Sequence, residues 1–510
     1  MRELRRRWPL ILFAVAASLA LLWPAFINGQ PFIFDDTTNY VRGADAAAYR
    51  LTGIDTAWTH EFVARYGELD TLAARNRTPR ATADLPVTLS GRSVYYGALL
   101  YLSQAVDGFW LAALFQAVLT GLAILFTWER LARPSGAARR YGGAFLIVAL
   151  IAALTPAAYF ASFAMPDIFA PLGLLALAHL LFFPDRDSRA RRLFWFALLL
   201  FALLAHSANI LLFGGLFVLC LAGRLLGRLP IRRGALVAVV LAIVLGIGGE
   251  ALFSATVRGL TGAPPVRPPF LMARIIDDGP GYRFLRDTCP GNGFSVCRYL
   301  PILPLNSDAF LWTKAPGRGV FQASPPAERR ALAHEETAFV LAVARARPFD
   351  LASSALRSTI AQISFMGLSE FNYRHKTELF LHEKLPPAEA RRQAGTAAIR
   401  DAMPTRAIAR ITPALTAASL AFLAVAAALA CPAIRRSGTT GALGGFALLV
   451  LAGVLLNDVI AGTMSTPHDR YQARIIWLLP LLALCALPAT LAAWERRRQK
   501  PAPQAPLATD

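Results

Sequence analysis

Charged side chains are scarce in this sequence. They make up 16% of the 510 residues, whereas hydrophobic residues make up 55% and the mean hydropathy is +0.46. A chain of this length with so few charges is too apolar for an ordinary soluble protein. We therefore predict an integral membrane protein.

Acidic residues are fewer than basic ones, with 32 Asp and Glu against 52 Lys and Arg. In a soluble protein this excess would raise the question of nucleic acid. Here the arginines collect in short gaps between apolar runs, which is typical of the cytoplasmic side of a membrane protein. We therefore expect no nucleic-acid partner. The basic gaps contain Arg2 and Arg5 to Arg7, Arg133 with Arg139 and Arg140, Arg186 to Arg192, Arg224 to Arg233, Arg435 with Arg436, and Arg496 to Arg498.

Cysteine is also rare, and the sequence contains no CxxC pair, Walker loop, GxGxxG motif or internal repeat. Cys220, Cys431 and Cys485 lie in apolar runs, whereas Cys289 and Cys297 share one polar segment. A disulfide between the last two requires an oxidising compartment, which would place their segment outside the cytoplasm. Two unpaired thiols are the alternative.

The apolar runs predict about ten transmembrane helices. The first, Trp8 to about Ile27, is as long as a full span and lacks a good cleavage site at its end, so we interpret it as a retained helix. The run at 94–106 is shorter and contains Ser and Gln, and we expect it to lie on the membrane surface. The other spans are predicted near 109–130, 143–160, 164–183, 193–206, 209–226, 235–256, 411–432, 441–461 and 475–493.

These spans divide the chain into six parts. With both termini in the cytoplasm, the two long polar segments are external. The parts are the first helix (1–28), an external loop with a surface helix (29–108), helices two to seven (109–256), a small external domain (257–410), helices eight to ten (411–494) and a cytoplasmic tail (495–510). The predicted fold class is all-α and polytopic.

The sharpest local pattern directly follows the first helix. Asp35 and Asp36 are adjacent carboxylates, which repel each other and need a cation, a strong hydrogen-bond donor or solvent to stay ionised. Such a pair can hold a metal or accept a proton. The same Asp-Asp-Thr-Thr sequence also suits a helix cap followed by a solvated turn, and both interpretations stay open.

Further polar residues fall at the same predicted membrane face. Asp167 lies in the short turn between the third and fourth spans, where a single Asp is also an ordinary helix cap. His206 and Asn209 lie where two short spans meet, and polar groups in such places usually face a cavity or a partner. A structural histidine is the alternative for His206.

The last external turn places two arginines around a tyrosine. Arg470 and Arg474 bracket Tyr471, shortly after His468. Guanidinium groups bind phosphate through paired hydrogen bonds, so this turn suits a phosphate at headgroup depth. Arg and Tyr are equally common as anchors at the membrane interface.

The order and sidedness of these motifs resemble the GT-C superfamily of membrane glycosyltransferases, in particular its protein O-mannosyltransferase and aminoarabinose-transferase-like branch. Those enzymes carry an acidic pair directly after the first helix, a second acidic residue in a later external turn, and an Arg-Tyr segment before a late helix. Asp35 with Asp36, then Asp167, then the segment 468–474 match this order.

The resemblance covers mainly residues 1–185 and, more loosely, 441–494. The large segment 257–410, which contains the cysteine pair, matches no pattern of the family. The resemblance therefore implies the class of reaction but leaves the acceptor open.

What the resemblance implies is transfer of a sugar from a polyprenyl-phosphate donor to a glycan, lipid or protein acceptor, on the external face of a bacterial cytoplasmic membrane. Asp35 would be the general base. Asp36 would be the second catalytic residue. Either a divalent cation, Mg²⁺ or Mn²⁺ with Asp36 and Asp167 as its ligands, or an arginine would offset the charge on the departing lipid phosphate. The substrate-binding residues that accompany them are Tyr40, His206, His468, Arg470, Tyr471 and Arg474, with the two arginines on the donor phosphate.

Two other classes of protein stay open. A transporter or flippase of a lipid-linked sugar, or of another solute, would also be polytopic, although no inverted repeat is found and the polar groups collect at one face. An O-antigen polymerase or ligase would share the large external loop but would not need Asp35 and Asp36.

Reporter fusions test the predicted topology. We expect a fusion after residue 137 to report the cytoplasm, because the residues around it are rich in arginine. A fusion within 257–410 should report the external compartment. An external signal at residue 137 would mean that the run 94–106 crosses the membrane.

Overall fold

A computed structural model of the chain describes residues 2–67, 87–373, 384–437 and 441–498. Over these residues the chain is helical and contains no β-strand, only two isolated β-bridges. The predicted all-α class is therefore confirmed. The Pro-rich end of the predicted cytoplasmic tail, 501–510, lies outside the described residues.

The first group of helices runs to residue 261. It comprises α1 (Arg2–Leu21), α2 (Trp23–Asn28), α3 (Asp35–Thr52), α4 (Ala57–Tyr66), α5 (Val94–Asp107), α6 (Trp110–Ala132), α7 (Gly143–Leu154), α8 (Ala157–Ala161), α9 (Phe169–Phe182), α10 (Arg189–Ala205), α11 (Ala208–Leu225) and α12 (Arg233–Thr261). A short 3₁₀ turn, Pro166–Ile168, leads directly into α9.

The second group follows. It comprises α13 (Phe270–Asp277), α14 (Pro280–Thr288), α15 (Ser307–Trp312), α16 (Pro326–Ala346), α17 (Pro348–Ser364), α18 (Pro387–Ala394), α19 (Thr405–Ser437), α20 (Gly441–Met464), α21 (Asp469–Ile476) and α22 (Leu478–Arg498).

Six of the described helical stretches are long and apolar enough to cross a membrane: α6, α11, α12, Thr405–Ala430, α20 and Asp469–Glu495. Shorter apolar helices occur at Trp8–Leu21 and Pro166–Phe182. The predicted count of about ten spans is not confirmed. The stretch predicted near 143–160 breaks at Thr155-Pro156 after the 12 residues of α7, because proline cannot continue a helix.

Helix α9 forms the centre of the bundle. Every one of its side chains is buried, and it packs against α10, α11, α12 and α20. The contact with α20 is close because Gly453 has no side chain: a Cβ there would lie 2.4 Å from Leu174 Cδ2. Small residues that let helices approach closely are typical of helix pairs in membranes.

The basic loops lie together at one end of α9. Glu129, at the end of α6, is ion-paired with both Arg140 and Arg191, and Asp185 lies 2.7 Å from Arg232. Three of the predicted cytoplasmic segments therefore share one end of the bundle. The 3₁₀ turn that contains Asp167 lies at the opposite end of α9, about 20 Å away for a helix of this length.

The segment 257–410 divides into two structural parts. Its first part, with α13 to α16, has its own hydrophobic core, which includes Met272, Phe310 and Phe339. Its later part, with Phe371 and Ala398, packs on the main core of the bundle. The predicted disulfide between Cys289 and Cys297 is present and confirms that expectation.

The run predicted as a surface helix forms α5, which packs on α3, α6 and α10. Its contact with α3 depends on Gly97, because a Cβ at this position would lie 2.5 Å from the backbone oxygen of Tyr40. Tyr40 and Tyr96 pack edge to face beside it, with ring centroids 5.3 Å apart. The glycine therefore sets the distance between α5 and the helix that begins at Asp35.

Replacing Gly97 by alanine should separate α5 from α3. We expect Gly97→Ala to destabilise the protein by about 1–3 kcal/mol, the usual cost of overpacking, and to lower the thermal unfolding midpoint in detergent. Gly43→Ala is the matched control, since a Cβ at Gly43 meets nothing within 4 Å. An equal midpoint for the two variants would contradict the close packing of α5 on α3.

Candidate functional site

Two chain segments that are distant in sequence are joined by backbone hydrogen bonds at the end of the bundle that contains Asp167, which we call the site end. The Phe32 N–H donates to the Ser162 oxygen at 2.9 Å, and the Ala164 N–H donates to the Phe32 oxygen at 2.8 Å. The Thr37 hydroxyl adds a third bond, to the Ala164 oxygen at 3.0 Å. These bonds hold the start of α3 beside the turn that contains Asp167.

The acidic pair lies in the first turn of α3, but the N-cap residue is Phe34, whose N–H donates to the Thr37 hydroxyl at 2.9 Å, so neither aspartate is the predicted helix cap. The two side chains nevertheless have different surroundings. Asp35 has a side chain that is 41% exposed, and its Oδ1 lies 3.4 Å from Lys384 Nζ. Asp36 is less exposed, and its Oδ1 accepts a hydrogen bond from Arg92 Nη2 at 2.6 Å.

The charge of Asp36 is fixed by its neighbours. Burial alone would raise the pKa of this carboxyl, but the positive charges of Arg92 and Arg470 outweigh that effect and hold the pKa below its ordinary value. The pKa of Arg92 is raised in turn, because the attraction of Asp36 outweighs burial. Asp36 therefore stays a carboxylate at neutral pH, paired with a guanidinium.

Asp167 is buried and contacts both arginines of the last predicted turn. Its Oδ1 lies 3.2 Å from Arg470 Nε and 3.4 Å from Arg474 Nη1. Arg474 also donates from Nη2 to Asn457 Oδ1 at 2.8 Å, which ties it to α20. The acid predicted in the turn between the third and fourth spans and the arginines predicted in the last external turn therefore form one ion-paired group.

Aromatic rings connect these arginines to the acidic pair. The Arg470 guanidinium lies over the ring of Phe34, 4.6 Å from its centroid, and Phe34 directly precedes Asp35. Both Arg470 and Arg474 also lie over the ring of Tyr471. Such contacts favour a charged guanidinium, because the ring face is electron-rich.

His468 is held in place through its backbone N–H and oxygen, which both bond to Gln362. Its N–H donates to Gln362 Oε1 at 3.0 Å, and its oxygen accepts from Gln362 Nε2 at 2.9 Å. The His468 ring packs near Tyr471, whose hydroxyl is 3.1 Å from Ser465 Oγ. These contacts fix the start of α21, which carries both arginines.

Asp36, Arg92, Asp167, Arg470 and Arg474 form what we call the charged group, and Tyr40 is buried close to it. Burial raises the pKa of its phenol, so the hydroxyl stays protonated. The charges of Arg92, Asp36 and Asp167 all act on it, which locates the ring among the ion pairs. Tyr40 is therefore available only as a neutral hydrogen-bonding group.

His206 joins α10 to α11 and is within electrostatic reach of Asp36. Its Nδ1 accepts a hydrogen bond from the Ala208 N–H at 3.2 Å. A ring nitrogen that accepts carries no proton, so the ring is neutral in this arrangement. The proton then belongs on Nε2.

Asp45, which follows the acidic pair in α3, has a structural role. Its two oxygens accept hydrogen bonds from the hydroxyls of Thr56 and Thr59, at 2.6 and 2.8 Å. It therefore joins α3 to the start of α4 and does not belong to the charged group.

Two cations of the site have no local signal in the sequence. Arg92 is one of seven arginines in a segment of balanced charge, and Lys384 lies in the long polar segment before α18. Their partners, Asp36 and Asp35, become neighbours only when the chain folds. Residue spacing cannot report such pairs.

The residues present do not make an evident metal site. Among the described residues, no group of three or more His, Cys, Asp or Glu side chains could hold a metal ion. Asp36 and Asp167 are each paired with arginine, which supplies the positive charge that a cation would otherwise bring. The divalent cation stays a prediction, and no step below depends on it.

One of two cavities borders the charged group, at Arg92. A small one of about 10 Å³, enough for one water, is lined by Arg92, Ser207 and Glu250 among others. A larger cleft of about 310 Å³ lies between residues 263–267 and α16. A β-bridge between Leu89 and Val266 connects the wall of this cleft to the loop that carries Arg92.

Comparison with known protein families, curated proteins and solved structures finds no match to this chain.

The ion pair of Asp36 and Arg92 should stabilise the fold in a pH-dependent way. Because the pKa of Asp36 is lowered in the folded state, the stabilisation by its ion pair is fully present above the ordinary carboxyl pKa of 3.8 and is lost as the pH falls through the lowered pKa. We expect Arg92→Met to cost about 1.5–3 kcal/mol at pH 7, typical of losing a hydrogen bond to a charged group, and less in acid.

The measurement is the thermal unfolding midpoint against pH for wild type, Arg92→Met and the control Arg318→Met, whose side chain is exposed in a distant loop. In an Asp36→Asn background, Arg92→Met should lower the unfolding midpoint by less than it does in the wild type. A cost of Arg92→Met that is independent of pH and of Asp36 would rule out the ion pair as its source.

Proposed function

We propose that this protein is a membrane glycosyltransferase that moves a sugar from a polyprenyl-phosphate donor to an acceptor at the site end of the bundle. The observation that carries the proposal is the convergence of Asp35 with Asp36, Asp167, and Arg470 with Arg474 beside the first turn of α9. These residues come from three distant parts of the sequence. A purely structural ion pair would not need an exposed acid and two accessible cations beside it.

Asp35 suits the role of general base. It is the more exposed carboxylate of the pair, at 41%, so an acceptor hydroxyl can approach it. Asp36 is engaged by Arg92 and instead fixes the start of α3. In the proposed step, Asp35 takes the proton of the acceptor hydroxyl, and the hydroxyl oxygen forms a bond to the anomeric carbon of the donor.

The lipid phosphate leaves in the same step. The bond between the anomeric carbon and the phosphate oxygen breaks, and the phosphate keeps the electron pair and gains negative charge. Arg92 and Lys384 are the more accessible cations, with side chains 26% and 35% exposed. Arg470 and Arg474 are more deeply buried and add positive charge behind them.

The membrane character of the chain fits a lipid-linked donor. Helices long enough to span a bilayer surround α9, and the site lies at one end of that helix. A polyprenyl chain could therefore stay in the bilayer while its phosphate reaches the site. Under the charge rule, the basic loops at the opposite end support an external location for the site.

The test compares the lipids and surface glycans of cells with and without the gene. We expect deletion to remove one glycan substituent and to cause accumulation of a polyprenyl-phosphate sugar. Asp35→Asn should lower the transfer rate about a hundredfold or more, typical of losing a general base. Asp55→Asn, an exposed acid in the same predicted loop, should complement fully.

Arg474→Ala should weaken use of the lipid-phosphate donor more than use of the acceptor. Unaltered glycans after deletion, or full complementation by both Asp35→Asn and Asp36→Asn, would favour the transporter instead. A defect in polymer length that is independent of Asp35 would favour the polymerase or ligase.

A further inference from the structure

Helix α17 has its polarity reversed relative to a helix on the surface of a soluble domain. Its fully buried side chains are polar, whereas its exposed side chains include most of its large apolar ones, together with Ser353, Arg357 and Ser364. The buried positions are Ser354, Ser358 and Gln362, and the exposed ones include Phe349, Ala352, Leu356, Ile360 and Ile363. A helix in water places its apolar stripe against the protein, so this pattern needs an apolar environment outside.

The exposed stripe is continuous and strongly exposed. Its members follow one another at steps of three and four residues, which puts them on one face of the helix. Phe349 is 87% exposed, Leu356 62% and Ile360 60%. Contiguous apolar surface of this kind marks contact with a partner or a membrane.

The inward face packs as helices do inside membranes. α17 lies against α20, one of the candidate spans, and a Cβ at Gly462 would lie 2.8 Å from the backbone oxygen of Ser358. Close helix pairs that meet through Gly and Ser are typical of lipid-embedded bundles. On α20, Leu455 and Val459 are exposed, so an apolar surface is present on this span too.

The polar inward residues also have specific partners. Arg274 Nη2 donates to Ser358 Oγ at 2.8 Å, and the Gln362 amide holds both backbone groups of His468. These bonds satisfy the polar groups on the inner face, as a low-dielectric environment requires. They also tie α17 to α21.

We propose that α17 lies in the membrane, with its outward face against lipid acyl chains at the site end of the bundle. This helix has 17 residues, and Asp350, Arg357 and Gln362 lower its mean hydropathy, so it is shorter and less apolar than the six candidate spans. Arg357 is also exposed on this helix, and its Nη1 donates to Ser353 Oγ at 2.8 Å, so the guanidinium has a hydrogen-bond partner within α17. Segment 348–364 thus belongs to the membrane part of the protein, whatever reaction the site performs.

Site-specific labelling tests this placement in the full-length protein reconstituted in phosphatidylcholine vesicles. Single cysteines that carry a fluorescent label are introduced as Ala352→Cys, Leu356→Cys and Ile360→Cys, with Cys220, Cys431 and Cys485 replaced by serine. Leu455→Cys on α20 is the lipid reference, and Ala315→Cys in an exposed loop is the water reference. Each label is exposed to a doxyl-labelled phospholipid and, separately, to aqueous iodide.

We expect the three α17 labels to lose emission with the doxyl lipid to the same extent as the label at 455, and to resist iodide. Ala352→Cys changes the side-chain volume little, so the label at this position still measures the surroundings of α17 if a larger substitution disturbs folding. Quenching by iodide at the level of position 315 would overturn the proposal. Resistance to both quenchers would also overturn it, because another protein surface, such as a second copy, would then cover α17.

Discussion

The arrangement of the site depends on the pairing of Phe32 with the turn at 162–164. This turn is itself held from the other side, because Gln116 Nε2 donates to the oxygens of Ala161 and Phe163, while Tyr96 donates to Gln116 Oε1. The N–H of Ile33 donates to the Tyr373 hydroxyl at 2.8 Å. The segment between α2 and α3 is thus fixed on both edges, and Asp35 and Asp36 follow it directly.

Asp35 and Asp36 are equivalent in the sequence motif, but they have different neighbours in the folded protein. Successive side chains on a helix point about 100° apart, so Asp35 and Asp36 meet different surroundings. Asp36 turns toward Arg92 and Arg470 and becomes a fixed anion. Asp35 turns toward Lys384 and stays accessible. Neither aspartate caps the helix, because the N-cap residue is Phe34.

Much of the fold could be predicted from hydropathy, because apolar runs report helices locally. The helix at 94–107 and the spans beginning near 109, 209, 235 and 441 start within a few residues of their predicted positions. Asp167 and Arg474 were predicted at one face, and the structure joins them directly. Arg92 and Lys384 could not be predicted, since long-range ion pairs leave no periodic pattern. The proposed membrane position of α17 could not be predicted for a different reason. Its apolar residues have a helical period, but the sequence does not show that the apolar face points away from the protein.

The site end of the bundle also gathers the beginnings of several helices. α3 starts at Asp35, the turn with Asp167 leads into α9, and α21 starts at Asp469, beside Arg470. The peptide dipoles of each helix place a partial positive charge at its start, and this charge neither titrates nor depends on any side chain. The backbone therefore maintains an attraction for anions of its own, which persists at any pH at which the helices stay folded.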